Sequence, residues 1–280
     1  MQFTDKKIII SGSHVEVSVY DGATHAYDFS LPKKFKPEVI IPDDETEEQK
    51  KSRLRSEELQ KIDSRRRSMI RAKAYLIRLV NCNIWYWFKD NGKAYIPIFL
   101  TLTFEDDVRD IKQANYVLAK FLKRLNYEII GEKKGFLKYV GVPEFQDKTR
   151  DGVIHYHLVF FNLKFIWADT MAGIWGEGYI KIKKLGRVKN IASYITKYMS
   201  KNFEDTRMDG KKRYFSSNGL FKPLTFLDQT WVNQIYDVLP KKHIVSEREY
   251  DSRYEGVVKK QDYRLPRTTD VEDIVRKIYE

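Results

Sequence analysis

Val153-Ile-His-Tyr-His-Leu-Val-Phe-Phe161 decides how the rest of the chain is read. Nine residues rich in β-branched and aromatic side chains follow a turn signal, Asp147 to Gly152, and predict a strand. On a strand, residues two apart share a face. His155 and His157 therefore lie together, while Ile154, Tyr156, Leu158 and Phe160 form the opposite, apolar face. Two imidazoles on one face reach a common cation; two hydrogen-bonded histidines on a half-exposed strand are the plain alternative.

The preceding segment, Phe136 to Phe145, reads as the partner strand of a hairpin. A turn centred on Thr149-Arg150 sets Glu144 directly across from His155, and directly opposed residues share a face. Glu144, His155 and His157 then converge as a carboxylate and two imidazoles, a donor set for a divalent cation such as Mg²⁺ or Mn²⁺. Pro143 inside the strand implies an edge or a bulge. A changed register would bring Gln146 into the place of Glu144.

Tyr95 to Phe104 alternates as another strand, with Ile96, Ile98, Leu100, Leu102 and Phe104 on one face. Residues 110 to 127 form an amphipathic helix with the stripe Ala114, Val117, Leu118, Phe121, Leu122 and Leu125. A short helix is expected over Thr170 to Trp175 and a strand over Gly178 to Lys183. Asn190 is a good N-cap for a helix from Ile191 to about Lys201. Residues 7 to 30 form a small β-element around Asp21-Gly22, Asp43 to Gln49 is acidic and loop-like, and Lys50 to about Val80 is a long helix, basic in its first half.

The fold class expected is α+β, a central and largely antiparallel sheet with flanking helices. Its division is a small β-element over 1–42, a basic helical segment over 43–90, a core over 91–225 and a C-terminal extension over 226–280.

The helix after Asn190 holds the third chemical feature. Tyr194 and Tyr198 are four apart and share one side, beside Lys197 and Lys201, next to the apolar stripe Ile191, Ile195 and Met199. A free phenol, with a pKa of about 10, becomes a nucleophile only when a cation favours its phenolate.

The chain has 280 residues and a formal net charge of +12, from 51 Lys and Arg against 39 Asp and Glu, so a polyanion is the expected partner. Lys181, Lys183, Lys184, Arg187, Lys189, Lys201, Lys211 and Arg213 are the candidate phosphate contacts, with Lys212 beside them. Tyr214, Phe215 and Phe221 are candidates for base stacking, with core packing the stronger expectation for each. The single cysteine, Cys82, excludes an internal disulfide. No long uncharged apolar run and no leader pattern stand out, so a cytoplasmic protein without a membrane partner is expected. There is no G-x-x-x-x-G-K-[ST] loop, hence no nucleotide cofactor and no fused helicase.

In order and spacing, three segments resemble the HUH endonuclease superfamily, and within it the two-tyrosine rolling-circle replication initiators of small phages and plasmids. Phe99-Leu-Thr-Leu-Thr-Phe104 is similar to the first motif, Ile154-His-Tyr-His-Leu-Val159 to the second, and Ala192-Ser-Tyr-Ile-Thr-Lys-Tyr-Met-Ser-Lys201 to the tyrosine motif. Tyr156 departs from the usual aliphatic middle residue. Further similarity lies in Val142-Pro-Glu-Phe145, Ile174-Trp-Gly-Glu-Gly178 and Arg213-Tyr-Phe-Ser-Ser-Asn-Gly-Leu220.

The resemblance implies metal-dependent nicking of single-stranded origin DNA. The cation would be held by His155, His157 and Glu144, and the product would be a 5′-phosphotyrosine and a free 3′-hydroxyl. It implies Tyr194 as the initiating nucleophile, Tyr198 as a second one or a packing residue, and Lys197 as an aid to phosphate charge. Host helicase and DNA polymerase are the implied partners. A transposase or relaxase of the same superfamily, and a DNA-binding replication regulator without catalysis, are the alternatives.

Overall fold

The computed structural model describes residues 3–25, 45–133, 135–186, 192, 205–252 and 256–266. In chain order the strands are β1 (Phe3–Ser11), β2 (His14–His25), β3 (Ile98–Thr103), β4 (Tyr139–Gln146), β5 (Val153–Phe160), β6 (Ile180–Lys184), β7 (Phe215–Ser216), β8 (Leu224–Phe226), β9 (Ile244–Ser252) and β10 (Gly256–Arg264). Among the described residues the α-helices are α1 (Glu47–Asn83), α2 (Ile111–Ile130), α3 (Asp147–Arg150), α4 (Ala168–Trp175) and α5 (Gln229–Val238). The class is α+β, with two antiparallel five-stranded sheets. The chain divides into two compact units, Met1–Arg67 with Pro223–Glu280, and Ser68–Lys222; the boundary falls within α1. No helix among the described residues is long and apolar enough to cross a membrane.

The first unit is built on the order β8-β1-β2-β10-β9. Its hairpin turns at Gly12, with φ of 59°, and not at Asp21-Gly22, which lies inside β2. Both sites offer a glycine, but a turn at Gly12 pairs Ile8 with Val17 and Ile10 with Val15, so that all four apolar side chains share one face. That face packs on Val232 and Ile235 of α5. Asp228 caps α5 by accepting from the backbone N–H of Thr230 and Trp231.

Residues 46–49 begin a helix rather than a loop. Thr46 and Gln49 cap each other, Gln49 N–H donating to Thr46 Oγ1 at 3.3 Å and Thr46 N–H to Gln49 Oε1 at 2.9 Å. Glu47 and Glu48 then suit the positive end of the helix.

The second unit has the order β6-β3-β5-β4-β7, every pair antiparallel. β5 is central and buried along its whole length. Ile154, Tyr156, Leu158 and Phe160 face the stripe Ala114, Leu118, Phe121 and Leu125 of α2, with Met171 and Trp175 of α4. Val159 and Phe161 belong to the other core, with Leu76, Leu79 and Val80 of α1. Helix α2 is fixed at both ends, by Asp110 accepting from Gln113 N–H and by Gly131 in the left-handed region.

Two strands are shorter than the alternation predicts. Pro97 has no N–H for a ladder, so β3 begins at Ile98 and Ile96 is left exposed. Asn126 Oδ1 accepts the N–H of both Phe136 and Leu137, so β4 begins only at Tyr139.

Gly178 locks the entry to β6. Its φ is +135°, and a Cβ there would run into two backbone atoms, Glu105 N and, at 2.6 Å, Thr103 O. Gly178→Ala is expected to lower the melting midpoint of the second unit by roughly 5 °C or more. Gly173→Ala, inside α4 with open space around it, is expected to leave the midpoint unchanged or raise it. Calorimetry of both variants checks the contrast.

Candidate functional site

The hairpin β4–β5 positions the histidines. Its ladder runs without a shift, pairing Glu144 with His155 and Val142 with His157, so Pro143 introduces no bulge and Gln146 lies across from Val153. One turn of helix, α3, closes the hairpin, followed by Asp151 and Gly152 with φ of 44° and 78°.

On the other side β3 sets Thr103 opposite His155 and Thr101 opposite His157. Thr101 Oγ1 lies 3.1 Å from His157 Nδ1, and Thr103 Oγ1 lies 3.3 Å from His155 Nδ1. Phe99 stacks on the His157 ring, centroids 5.6 Å apart. Each imidazole thus has its Nδ1 engaged by a hydroxyl, which leaves Nε2 as the atom offered to the site.

The two Nε2 atoms have different surroundings. His157 Nε2 meets Glu144 Oε2 in a short contact. His155 Nε2 is buried and has no hydrogen-bond partner among the described residues. Both histidines are only 6% exposed. Burial, then the neighbouring His157 and Arg150, hold the His155 imidazolium down to a pKa of about 4, against a smaller opposing effect of Glu144. His155 is therefore neutral at pH 7, the form that donates a lone pair.

An orphaned buried nitrogen costs free energy unless something satisfies it. A cation held by His155 Nε2, His157 Nε2 and Glu144 would do so, and two imidazoles with a carboxylate are a competent donor set. Among the described residues no three His, Cys, Asp or Glu side chains already close around one point. The Glu144 carboxylate, resting on His157, would have to exchange that contact for the cation.

The cationic side chains fall into separate groups. Lys181 pairs with Thr101, and Lys183 with Phe99, so both exposed lysines sit on the histidine face at the β6 edge. Lys184 is exposed on the opposite parity. Lys211 and Lys212 are exposed near a 3-10 turn. Arg213 is half-buried, donating to Asp205 O and Asp209 Oδ1. Tyr194, Lys197, Tyr198, Lys201, Arg187 and Lys189 lie outside the described residues. Tyr214 stacks on Tyr75, Phe215 packs on Tyr139 and Tyr156, and Phe221 packs on Trp87.

Thr101, Thr103, Phe99 and Arg150 join the site without having been singled out. The threonines' signal was their two-residue spacing on a strand beside the histidine strand. Arg150 donates to the carbonyls of Phe104 and Glu105 and to Asp107 Oδ1, fixing the loop after β3; nothing local in the sequence marks that role.

The fold and this site define an α+β protein whose sheet presents a buried histidine pair from its middle strand. Residues 97–203 match a family model of replication-associated proteins, the one that joins the ORF2 and gene II proteins. No curated protein and no solved structure matches the chain significantly.

His155 also makes stability depend on pH. Its folded pKa is depressed from 6.5 to about 4, so the contribution is fully present above pH 6.5 and is lost as pH falls toward 4, where only the unfolded chain takes up the proton. In protein kept free of divalent cations by a chelator, this loss should approach the order of 3 kcal/mol. Denaturant unfolding of the second unit should show a shallower acid slope in His155→Gln. An unchanged slope would show that His155 is not the group held neutral.

Proposed function

We propose that this protein is a replication initiator that nicks single-stranded origin DNA through a tyrosine, beside a divalent cation at His155, His157 and Glu144. The observation that carries the reading is the buried, partnerless Nε2 of His155. It lies in the segment that matches replication-associated proteins.

A bound Mg²⁺ or Mn²⁺ would supply Lewis-acid polarisation of the scissile phosphate. The chain's own residues do the rest. Thr101 and Thr103 fix the tautomer and orientation of the two imidazoles through Nδ1. Phe99 covers one ring. Lys181 and Lys183, on the same face, attract the phosphate backbone.

The nucleophile is the Oη of Tyr194, with Tyr198 one helical turn away for a second transfer. Loss of the phenol proton to water or a base gives the phenolate, favoured by the Lys197 ammonium. A tyrosine O–P bond forms and the P–O3′ bond breaks. The departing 3′-oxygen takes up a proton, which leaves a 5′-phosphotyrosine and a 3′-hydroxyl able to prime a host polymerase. The phosphodiester energy stays in the linkage, so the reverse step rejoins DNA. Strand separation beyond the origin falls to a host helicase.

The test is incubation with single-stranded DNA from the replicon's own origin and Mn²⁺, read by denaturing gel and peptide mass spectrometry. The expected product is a covalent adduct on Tyr194 or Tyr198. It should disappear with chelator, with His157→Ala and with the doubly substituted Tyr194→Phe, Tyr198→Phe chain. Binding of that DNA without any adduct would replace the reading with a regulator that recognises DNA but does not cut it.

A further inference from the structure

Between β5 and α4 the chain leaves two large aromatic rings in solvent. Phe161 and Leu163 of this connection are buried at 1% and 2% exposure, yet Phe165 is 57% and Trp167 72% exposed. Their rings meet edge to face with centroids 5.0 Å apart. Neither placement serves folding. Trp167 occupies the N-cap of α4 and makes no side-chain cap bond, where Ser, Thr, Asp or Asn would stabilise the helix. Local choices that disregard the fold are expected where a surface has another role.

The surroundings select the occupant. Lys184 Nζ lies 4.3 Å from the centroid of the Phe165 ring. Along residues 164–184 the exposed charges are Lys164, Lys181, Lys183 and Lys184 against Asp169 and Glu177, an excess of cations. In the ladder Lys184 is level with Ile98 and Phe160, while Lys181 is level with Thr101 and His157. The lysine-bearing edge strand therefore runs from the level of the histidines toward the end of β5 that leads into the aromatic pair. Exposed rings beside ammonium groups match a ligand with flat apolar faces and a phosphate backbone. In a duplex those base faces are already stacked, whereas in a single strand they are free.

We propose that Phe165 and Trp167 form a stacking platform for unpaired DNA bases, with Lys184 beside it contacting the backbone. This rests on the reading of single-stranded DNA as substrate, and it assigns that strand a second holding point away from the histidines.

The experiment uses the full chain and a fluorescein-labelled oligothymidylate of about twenty nucleotides, a length exceeding a typical single-strand site. An abasic oligomer of the same length is the second probe. Phe165→Ala combined with Trp167→Ala should weaken oligothymidylate binding roughly 10- to 100-fold. It should leave binding of the abasic oligomer and the melting temperature unchanged. Phe165→Tyr with Trp167→Phe should restore the affinity. Photocrosslinking of an oligomer carrying iodouracil should label the 165–167 segment.

Wild-type and doubly truncated chains that bind oligothymidylate equally would overturn the platform while leaving the substrate reading intact. Equal losses on both probes would also overturn it, since bases would not be what the rings hold. A wild-type chain with no affinity for any single strand, its own origin included, would overturn the platform and the substrate reading together.

Discussion

The second unit depends on one constraint: β5 is buried on both faces, and one of those faces carries two imidazoles. The apolar face is answered by α2 and α4, whose side chains close over Ile154, Tyr156, Leu158 and Phe160. On the other face, polar atoms at two positions need partners in a place water reaches poorly. β3 supplies Thr101 and Thr103, and β4 supplies Glu144, all through ladder register. One atom, His155 Nε2, is left without a partner among the described residues. A strand so thoroughly enclosed holds its two rings in fixed positions, which a site for a cation requires and a merely structural histidine does not.

The same sheet arranges charge by parity. Lys181 and Lys183 share the histidine face because β6 pairs with β3 in the register that sets Lys181 beside Thr101. Ile180 and Ile182, on the alternate positions, pack on the apolar core. One short edge strand thus completes a core and lines the approach to the histidines. Gly178 makes this possible by letting the chain cross the backbone of Thr103 and Glu105 at a distance no Cβ would tolerate.

Much of this was legible because it is local. Strand alternation placed His155 with His157, and a hairpin centred between residues 149 and 150 fixed Glu144 opposite His155. Helix α2 followed from its stripe, four members of which are buried. Other features were set by partners far along the chain. Strand β2 pairs with β10 more than two hundred residues later, and no period in either segment announces it. The turn at Gly12 competes with an equally plausible signal at Asp21-Gly22, and core pairing decides between them. Pro97 and Asn126 each shortened a strand, the first by lacking a donor and the second by capturing two. The threonines beside the histidines were visible as residues but not as neighbours, since that needs the β3–β5 register.

The central claim is that the buried histidine pair exists to hold a divalent cation. The most direct measurement is a titration of the full chain with Mn²⁺ followed by electron paramagnetic resonance, in wild type and in His155→Gln, His157→Ala and Glu144→Gln. The account predicts one Mn²⁺ held per wild-type chain, with the site lost in either histidine variant and weakened in Glu144→Gln. Failure of wild type to hold Mn²⁺, or Mn²⁺ binding indifferent to both histidines, would contradict it.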